Sequence, residues 1–345
     1  MNNYIVTSVE PGKMVGGNKA KNDVVHFLTL NDNFKSLNII EKKGRLNKLI
    51  YAQTALKKLV KQSNNGVDNF ILQYPVASEF IEDSFIKLVR NREQARLFIL
   101  IHDISSLQYP DVVGENFQSR ELDRFNKADG LIVHNERMKQ WLVGHGVNVP
   151  MVSLQIFDYQ TDDHMQKEIP FERTVSYAGA LGRATFLHSL NTKHTIHIMG
   201  PNRLANYPSC VQYDGQFVPS ELNQHLLQNF GLVWSGDSIH SCTGHLGEYL
   251  KYNDPHKASL YLSNGIPIII WEKAALAAFI KENNLGIVID DLDKLDQVMD
   301  EISKEDYQVM KANARKVGQK IRNGHFISKA VDSLIKPTGE VINHD

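Results

Sequence analysis

KYNDPHKASLYLSNGIPIII, Lys251 to Ile270, reads as a helix whose N-terminus suits an anion and whose C-terminus feeds a buried strand. Asp254 is placed to cap it and Pro255 to take the first helical position, where a missing N–H costs nothing and a fixed φ suits the helix. His256 and Lys257 then fall in the first turn, where a cation opposes the helix dipole at a cost of roughly 0.3–1 kcal/mol. An unfavourable pair of cations implies a guest. The natural guest is a phosphate group, which takes the first-turn N–H groups together with the Lys257 charge. Gly265 supplies the stop, and Ile266 to Ile270 is an apolar run of strand type.

The same helix-to-strand rhythm extends in both directions. The first half predicts strands at Tyr4 to Val9, Ser36 to Ile40, Asn69 to Tyr74, Ala95 to His102, Gly130 to His134 and Met151 to Ile156. Helices are predicted from Asn18 and over Leu46 to Lys61, Glu79 to Arg90 and Glu136 to His145. Such alternation argues for a parallel sheet covered on both faces. Asp158 to Arg173 turns polar without periodicity and reads as an interdomain linker. The pattern then restarts with strands at Thr174 to Ala178, Thr195 to Met199, Val211 to Tyr213, Gly231 to Trp234, Ile266 to Trp271 and Gly286 to Ile289. Helices are expected at Glu221 to Gln228 and Ala274 to Asn283, with two more closing the chain. Two doubly wound domains imply a cleft faced by the carboxyl ends of both sheets. Residues 1–158 form the first expected domain and 159–317 the second; the long helix Lys304 to Arg322, or a C-terminal helix at about 318–335, is expected to pack back on the first.

Composition narrows the partners. A chain of 345 residues with 42% hydrophobic content can fill two cores, and a net charge of -1 gives no global field for nucleic acid or an anionic membrane. Any charged partner must be met locally. Two cysteines, Cys210 and Cys242, are too few for a disulfide framework, and MNNYIVTSVEPG lacks the apolar core of a signal peptide. No apolar run approaches the roughly 18 residues that span a bilayer. A cytoplasmic protein with no integral membrane segment is expected.

No G-x-G-x-x-G follows the first strand and no G-x-x-x-x-G-K-[ST] occurs, which sets aside the dehydrogenase and P-loop readings. Glycines instead follow several strands: Gly12, Gly16 and Gly17, then Gly179 and Gly182, then Gly236. They are either ligand-approach loops or plain tight turns. Arg183, one residue beyond AGALG, offers a second cation from another strand end, its fork suited to a diphosphate, unless it is an ordinary solvated arginine. In IHDISSL, His102 and Asp103 end an apolar strand, where they supply a general base or orient a sugar hydroxyl; the alternative is an aspartate cap beside a histidine bonded to backbone. His240, Cys242 and His245 match no zinc spacing, so no metal site is expected; Ser235, Asp237 and His240 read better as a cleft loop on a polar ligand. Asp291-x-Asp293 reads as a helix start and Asp162-Asp163 as linker.

KYNDPHKASLYLSNGIPIII, with GLVWSGD upstream, IHDISSL in the first half and GGNKAKND near the start, resembles the β-1,6-galactofuranosyltransferase-like family of bacterial glycosyltransferases. That family includes the third enzyme, a glucosyltransferase, that glycosylates serine-rich-repeat adhesins. The resemblance spans nearly the whole chain. It implies an α/β GT-B fold, two Rossmann-like doubly wound domains facing across a cleft. It also implies a UDP-sugar as donor substrate, UDP as product, no tightly bound cofactor and no metal for donor binding. Arg183 and Lys257 would hold the diphosphate and the backbone near Phe217 the uracil. Asp237 would face sugar or ribose, with Asn253, Pro255, His256, Gly16, Gly17, Gly179, Ser235 and His240 completing the donor site.

The retaining GT-B pattern of two glutamates eight apart before G-[ILV]-P is absent, Leu260 standing where the second belongs, so an inverting displacement is expected, with Asp103 or His102 as base. The expected reaction moves glucose or N-acetylglucosamine to a GlcNAc-modified Ser/Thr-rich adhesin. Galactofuranosyl transfer in polysaccharide synthesis and a non-catalytic partner subunit are the alternatives. Relatives assemble as homo-oligomers, so a dimer or tetramer is expected; no nucleic-acid partner is.

Overall fold

The computed structural model describes residues 2–9, 19–40, 42–61, 68–76 and 78–335. The chain forms two compact units: Met1–Ser106, Asp111–Leu154 and Phe326–Asp345 in one, Leu107–Pro110 and Gln155–His325 in the other.

In the first unit, β1 (Asn2–Val9), β2 (Lys35–Ile40), β3 (Asp68–Tyr74), β4 (Ala95–Ile101), β5 (Gly130–Val133) and β6 (Met151–Ser153) pair in parallel in the order β2-β1-β3-β4-β5-β6. Every residue of β3 is buried, as a central strand covered on both faces requires. Strand order reverses between β1 and β3, which makes that point the natural ligand crevice of this sheet. The helix Glu79–Arg90 coincides with its prediction: acids fill its first turn, bases its last, and Ile81, Phe85, Ile86 and Val89 form its buried stripe. β6 stops three residues short of the predicted end at Ile156, because Gln155 takes φ 72° and breaks the extended run.

In the second unit, β7 (Val175–Ala178), β8 (Ile196–Met199), β9 (Val211–Gly215), β10 (Phe230–Val233), β11 (Ile268–Trp271) and β12 (Gly286–Ile289) are also parallel, ordered β12-β11-β10-β7-β8-β9. Here the order reverses between β7 and β10.

Residues 158–173 carry no helix or strand, yet they are fixed on the second unit. Buried Gln166 donates to the carbonyls of Leu226 (3.0 Å) and Gln228 (2.9 Å), and Arg315 and Arg322 donate to the carbonyls of Gln166 (2.7 Å) and Asp163 (2.5 Å). Those arginines lie on the helix Lys304–Arg322, which stays with the second unit. It is the next helix, His325–Ile335, that packs on the first: Ser328 Oγ donates to Asp32 (2.7 Å) and Arg96 to the Ile335 carbonyl (3.1 Å). Gly324, at φ 71°, makes the turn between them. Among the described residues no helix is long and apolar enough to cross a membrane.

Candidate active site

The helix His256–Ser263 is aimed by Tyr261. Its buried ring passes over Gly231 of β10, where a Cβ would stand 2.6 Å from Cδ1, so only glycine fits there. Its hydroxyl accepts from the Ala178 N–H (2.7 Å) and donates to the Ser176 carbonyl (3.3 Å), both on β7. One side chain thus ties the helix to the two strands that flank the switch point, and the first helical turn falls at their carboxyl ends. The helix begins one residue later than its sequence suggested. Pro255 is extended (ψ 129°) and its carbonyl accepts from Ala258 N–H (2.8 Å), so Pro255 is itself the N-cap.

Lys257 points into that end of the sheet. Its ammonium lies 4.0 Å from the centre of the Tyr177 ring, and a Cβ built on Gly179 would stand 3.6 Å from Nζ. No carboxylate among the described residues pairs with it; its charged neighbourhood holds only the Cys242 thiol. Burial lowers its pKa to about 8, and burial raises that of Cys242 to about 12, so the thiol is neutral and the lysine lacks a counter-ion. A half-buried cation with no carboxylate partner at a topological switch point has the chemistry of a candidate anion site.

The surrounding loops gather further predicted residues. Ser235 N–H bonds the Cys242 sulfur, and Asp237 accepts from the Thr243 hydroxyl. Gly236, at φ 104°, lets these segments meet, since a Cβ there would stand 2.8 Å from Thr243 N. Asn253, just before the helix, holds a buried amide oxygen without a hydrogen-bond partner. His256 is held between Tyr159 and Phe157, ring centres 5.1 Å and 6.2 Å away. Arg183 ends a short 3-10 turn, Leu181–Arg183, exposed, with a long bond of 3.5 Å to the Tyr109 hydroxyl. Phe217 follows β9, at the sheet edge, its ring stacked 3.5 Å from that of His225.

His240 is exposed and bonds Asp291 (2.9 Å), with Asp293 at 3.4 Å; these three form the potential metal-ligand group among the described residues. Asp291 also accepts from Asp293 N–H (2.8 Å) as the cap of the turn Leu292–Lys294, the helix-start role read from the sequence. Cys242, by contrast, is fully buried and apart from that group.

In the first unit, His102 follows β4, buried, with Nε2 2.8 Å from Gln73 Oε1. Gln73 donates its own amide to the Lys21 carbonyl (3.2 Å), which leaves Oε1 to accept. With Oε1 as the acceptor, His102 donates from Nε2 in this contact. Asp103 is half-buried beside it. The loop is held by Glu121, wholly buried, which accepts from Ser105 N–H (2.8 Å), Ser106 N–H (3.0 Å) and the Tyr74 hydroxyl (2.8 Å). Below it His134 bonds the backbone of Ile101 and His102, and burial lowers its pKa to about 4, so it is a neutral structural histidine. Gln73 and Glu121 escaped the sequence reading; a glutamine alternating with apolar residues in a strand, FILQY, was the available signal for the first. Gly16 and Gly17 lie outside the described residues.

Two parallel six-stranded sheets in separate units, each with a strand-order reversal, are the architecture of a GT-B glycosyltransferase. The chain belongs to the glucosyltransferase 3-like family, whose N-terminal domain matches residues 2–156 and C-terminal domain residues 175–334. It is 29% identical over 338 residues to the β-1,6-galactofuranosyltransferase WbbI of Escherichia coli, covering 96% of this chain and 98% of that one. It is 28% identical over 248 residues to glucosyltransferase 3 of Streptococcus gordonii, covering 70% of this chain and 72% of that one. Among solved structures, Anabaena HepE in complex with UDP-glucose superposes with a TM-score of 0.61 at 10% identity over 96% of this chain and 99% of that one, a likeness of fold.

Proposed function

We propose that the enzyme transfers a hexose, glucose or N-acetylglucosamine, from a UDP-sugar to a GlcNAc-modified Ser/Thr-rich adhesin, by inversion and without a metal. The observation that carries this reading is the unpaired Lys257 ammonium between the ends of β7 and β10. A diphosphate supplies the missing counter-charge, and the HepE complex holds UDP-glucose in the same fold. In this reading residues 159–317 bind the donor and residues 1–158 the acceptor. The acceptor oxygen attacks the anomeric carbon on the face opposite UDP, its proton passes to His102 or to Asp103, and UDP leaves with the electron pair of the broken bond. Lys257 and Arg183 neutralise the charge that builds on the leaving diphosphate, the largest electrostatic demand of such a transfer. Asn253 offers its buried amide oxygen to a donor hydroxyl.

A second reading, galactofuranosyl transfer to a polysaccharide repeat, draws on the 29% identity to WbbI across nearly both chains. Donor choice turns on how a few pocket groups bond one hydroxyl. A screen for UDP release separates the two, using UDP-glucose, UDP-N-acetylglucosamine and UDP-galactofuranose with a GlcNAc-modified Ser-rich peptide and its unmodified form. Release from UDP-glucose or UDP-N-acetylglucosamine that requires the GlcNAc supports the first reading; release confined to UDP-galactofuranose overturns it.

A further inference from the structure

The chain is almost neutral, yet its residues 42–61, KKGRLNKLIYAQTALKKLVK, hold Lys42, Lys43, Arg45, Lys48, Lys57, Lys58 and Lys61 and no acid. The segment is helical from Arg45, with one π turn at Ala52–Leu56, and packs inward through Tyr51, Ala52, Leu56 and Val60. A second apolar stripe faces out. Leu46 is 69% exposed, Leu49 41% and Ile50 52%, at the spacing that places three side chains on one helix face. Phe80, on the neighbouring helix, is 44% exposed, and lies across a groove of about 460 Å³ lined also by Gly44, Arg45, Lys48, Leu49 and Ser78.

Scattered exposed leucines need no explanation, but apolar side chains gathered at a groove and ringed by cations of one sign do. A helix with leucine and isoleucine outward and lysine or arginine beside them lies well in the interface of an anionic bilayer, where the apolar residues enter the acyl boundary and the cations meet phosphates. Arg45 and Lys48 line the groove beside Leu49, Lys42 and Lys43 come just before them in the chain, and the groove between Arg45 and Lys48 suits a headgroup phosphate. Charge complementarity selects the lipid: residues 42–61, which follow Glu41, carry seven bases and no acid, and Glu79 and Asp83 beside Phe80 are paired to arginines.

We infer that the first unit docks on anionic membrane surfaces through Leu46, Leu49, Ile50 and Phe80, with Lys42, Lys43, Arg45 and Lys48 on lipid phosphates. None of these residues is among those placed at the donor site or named as the base, so the surface stands apart from the proposed chemistry.

Co-sedimentation of the full chain with phosphatidylglycerol/phosphatidylcholine vesicles, against phosphatidylcholine alone, tests it. The expected result is partitioning onto the anionic vesicles that falls about thirtyfold in the double variant Lys43→Gln/Arg45→Gln and about tenfold or more in Leu46→Ser/Ile50→Ser. Both variants keep wild-type UDP affinity. Equal partitioning onto both vesicle types overturns the inference, as does binding indifferent to the serine variant. Concentration-dependent self-association without vesicles that Leu46→Ser/Ile50→Ser abolishes also overturns it, because a second copy of the chain then covers the stripe.

Discussion

The ammonium of Lys257 lies 4.0 Å from the centre of the Tyr177 ring, with no carboxylate among the described residues paired to it. The ring face gives the charge partial stabilisation, worth about 0.5–2 kcal/mol, which is too little to replace lost water. Burial therefore dominates and lowers the lysine's pKa to about 8. The site is left short of one negative charge, and in the proposed function the donor diphosphate supplies it.

That deficit sets a pH dependence. In the free protein Lys257 is charged below pH 8 and loses its proton above it, whereas an anion bound beside it favours the charged form. UDP affinity is therefore retained below pH 8 and lost as pH rises through it, by up to about tenfold per pH unit. Calorimetric titrations across this range check it. Lys257→Arg should flatten the decline, because a guanidinium does not titrate there.

Tyr261 predicts a different signature. Replacement by Phe leaves the ring over Gly231 but removes the hydroxyl that bonds Ala178 N–H and the Ser176 carbonyl. Leaving these buried groups unsatisfied should cost about 1–3 kcal/mol in chemical denaturation. UDP affinity should fall less than in any Lys257 variant, since the cation itself remains.

Gln73 orients rather than reacts. Gln73→Leu removes the acceptor of the His102 Nε2–H, so turnover should fall while UDP affinity stays unchanged. A loss of about tenfold or more in kcat is expected if His102 is the base, bounded above by the roughly 10²–10⁴ that general base catalysis contributes. Unchanged kcat would assign the base role to Asp103.

Much of this arrangement was legible in residues close together in sequence. Pro255-His256-Lys257 read as a helix start because capping and helix polarity are local properties, and Gly286 to Ile289 reads as a strand from its own composition. Relations between distant residues were not legible. Tyr261 depends on Gly231, thirty positions earlier, and that pairing leaves no periodic trace. The helix Phe117–Asn126 was missed for a related reason: its buried face carries Glu121 and Arg124, and Arg124 is matched by Glu79 (2.6 Å) and Asp83 (2.9 Å) from another helix. Charges satisfied across the fold look, in a sequence, like a solvated surface.

Asp254 marks a further limit. Its type and position suit an N-cap, but the extended Pro255 takes the N-cap position and the helix starts at His256, one residue later than the sequence suggested. Lys257 kept its first-turn position because the cap moved by less than a turn.

The most direct measurement is the affinity of UDP for Lys257→Ala by calorimetry beside the wild type. Loss of one charge-assisted contact predicts binding about tenfold to a hundredfold weaker, equivalent to about 1.5–3 kcal/mol. Folding stability should hold or rise, because an unpaired, half-buried cation has been removed. Unchanged UDP affinity in a folded Lys257→Ala protein would contradict the account.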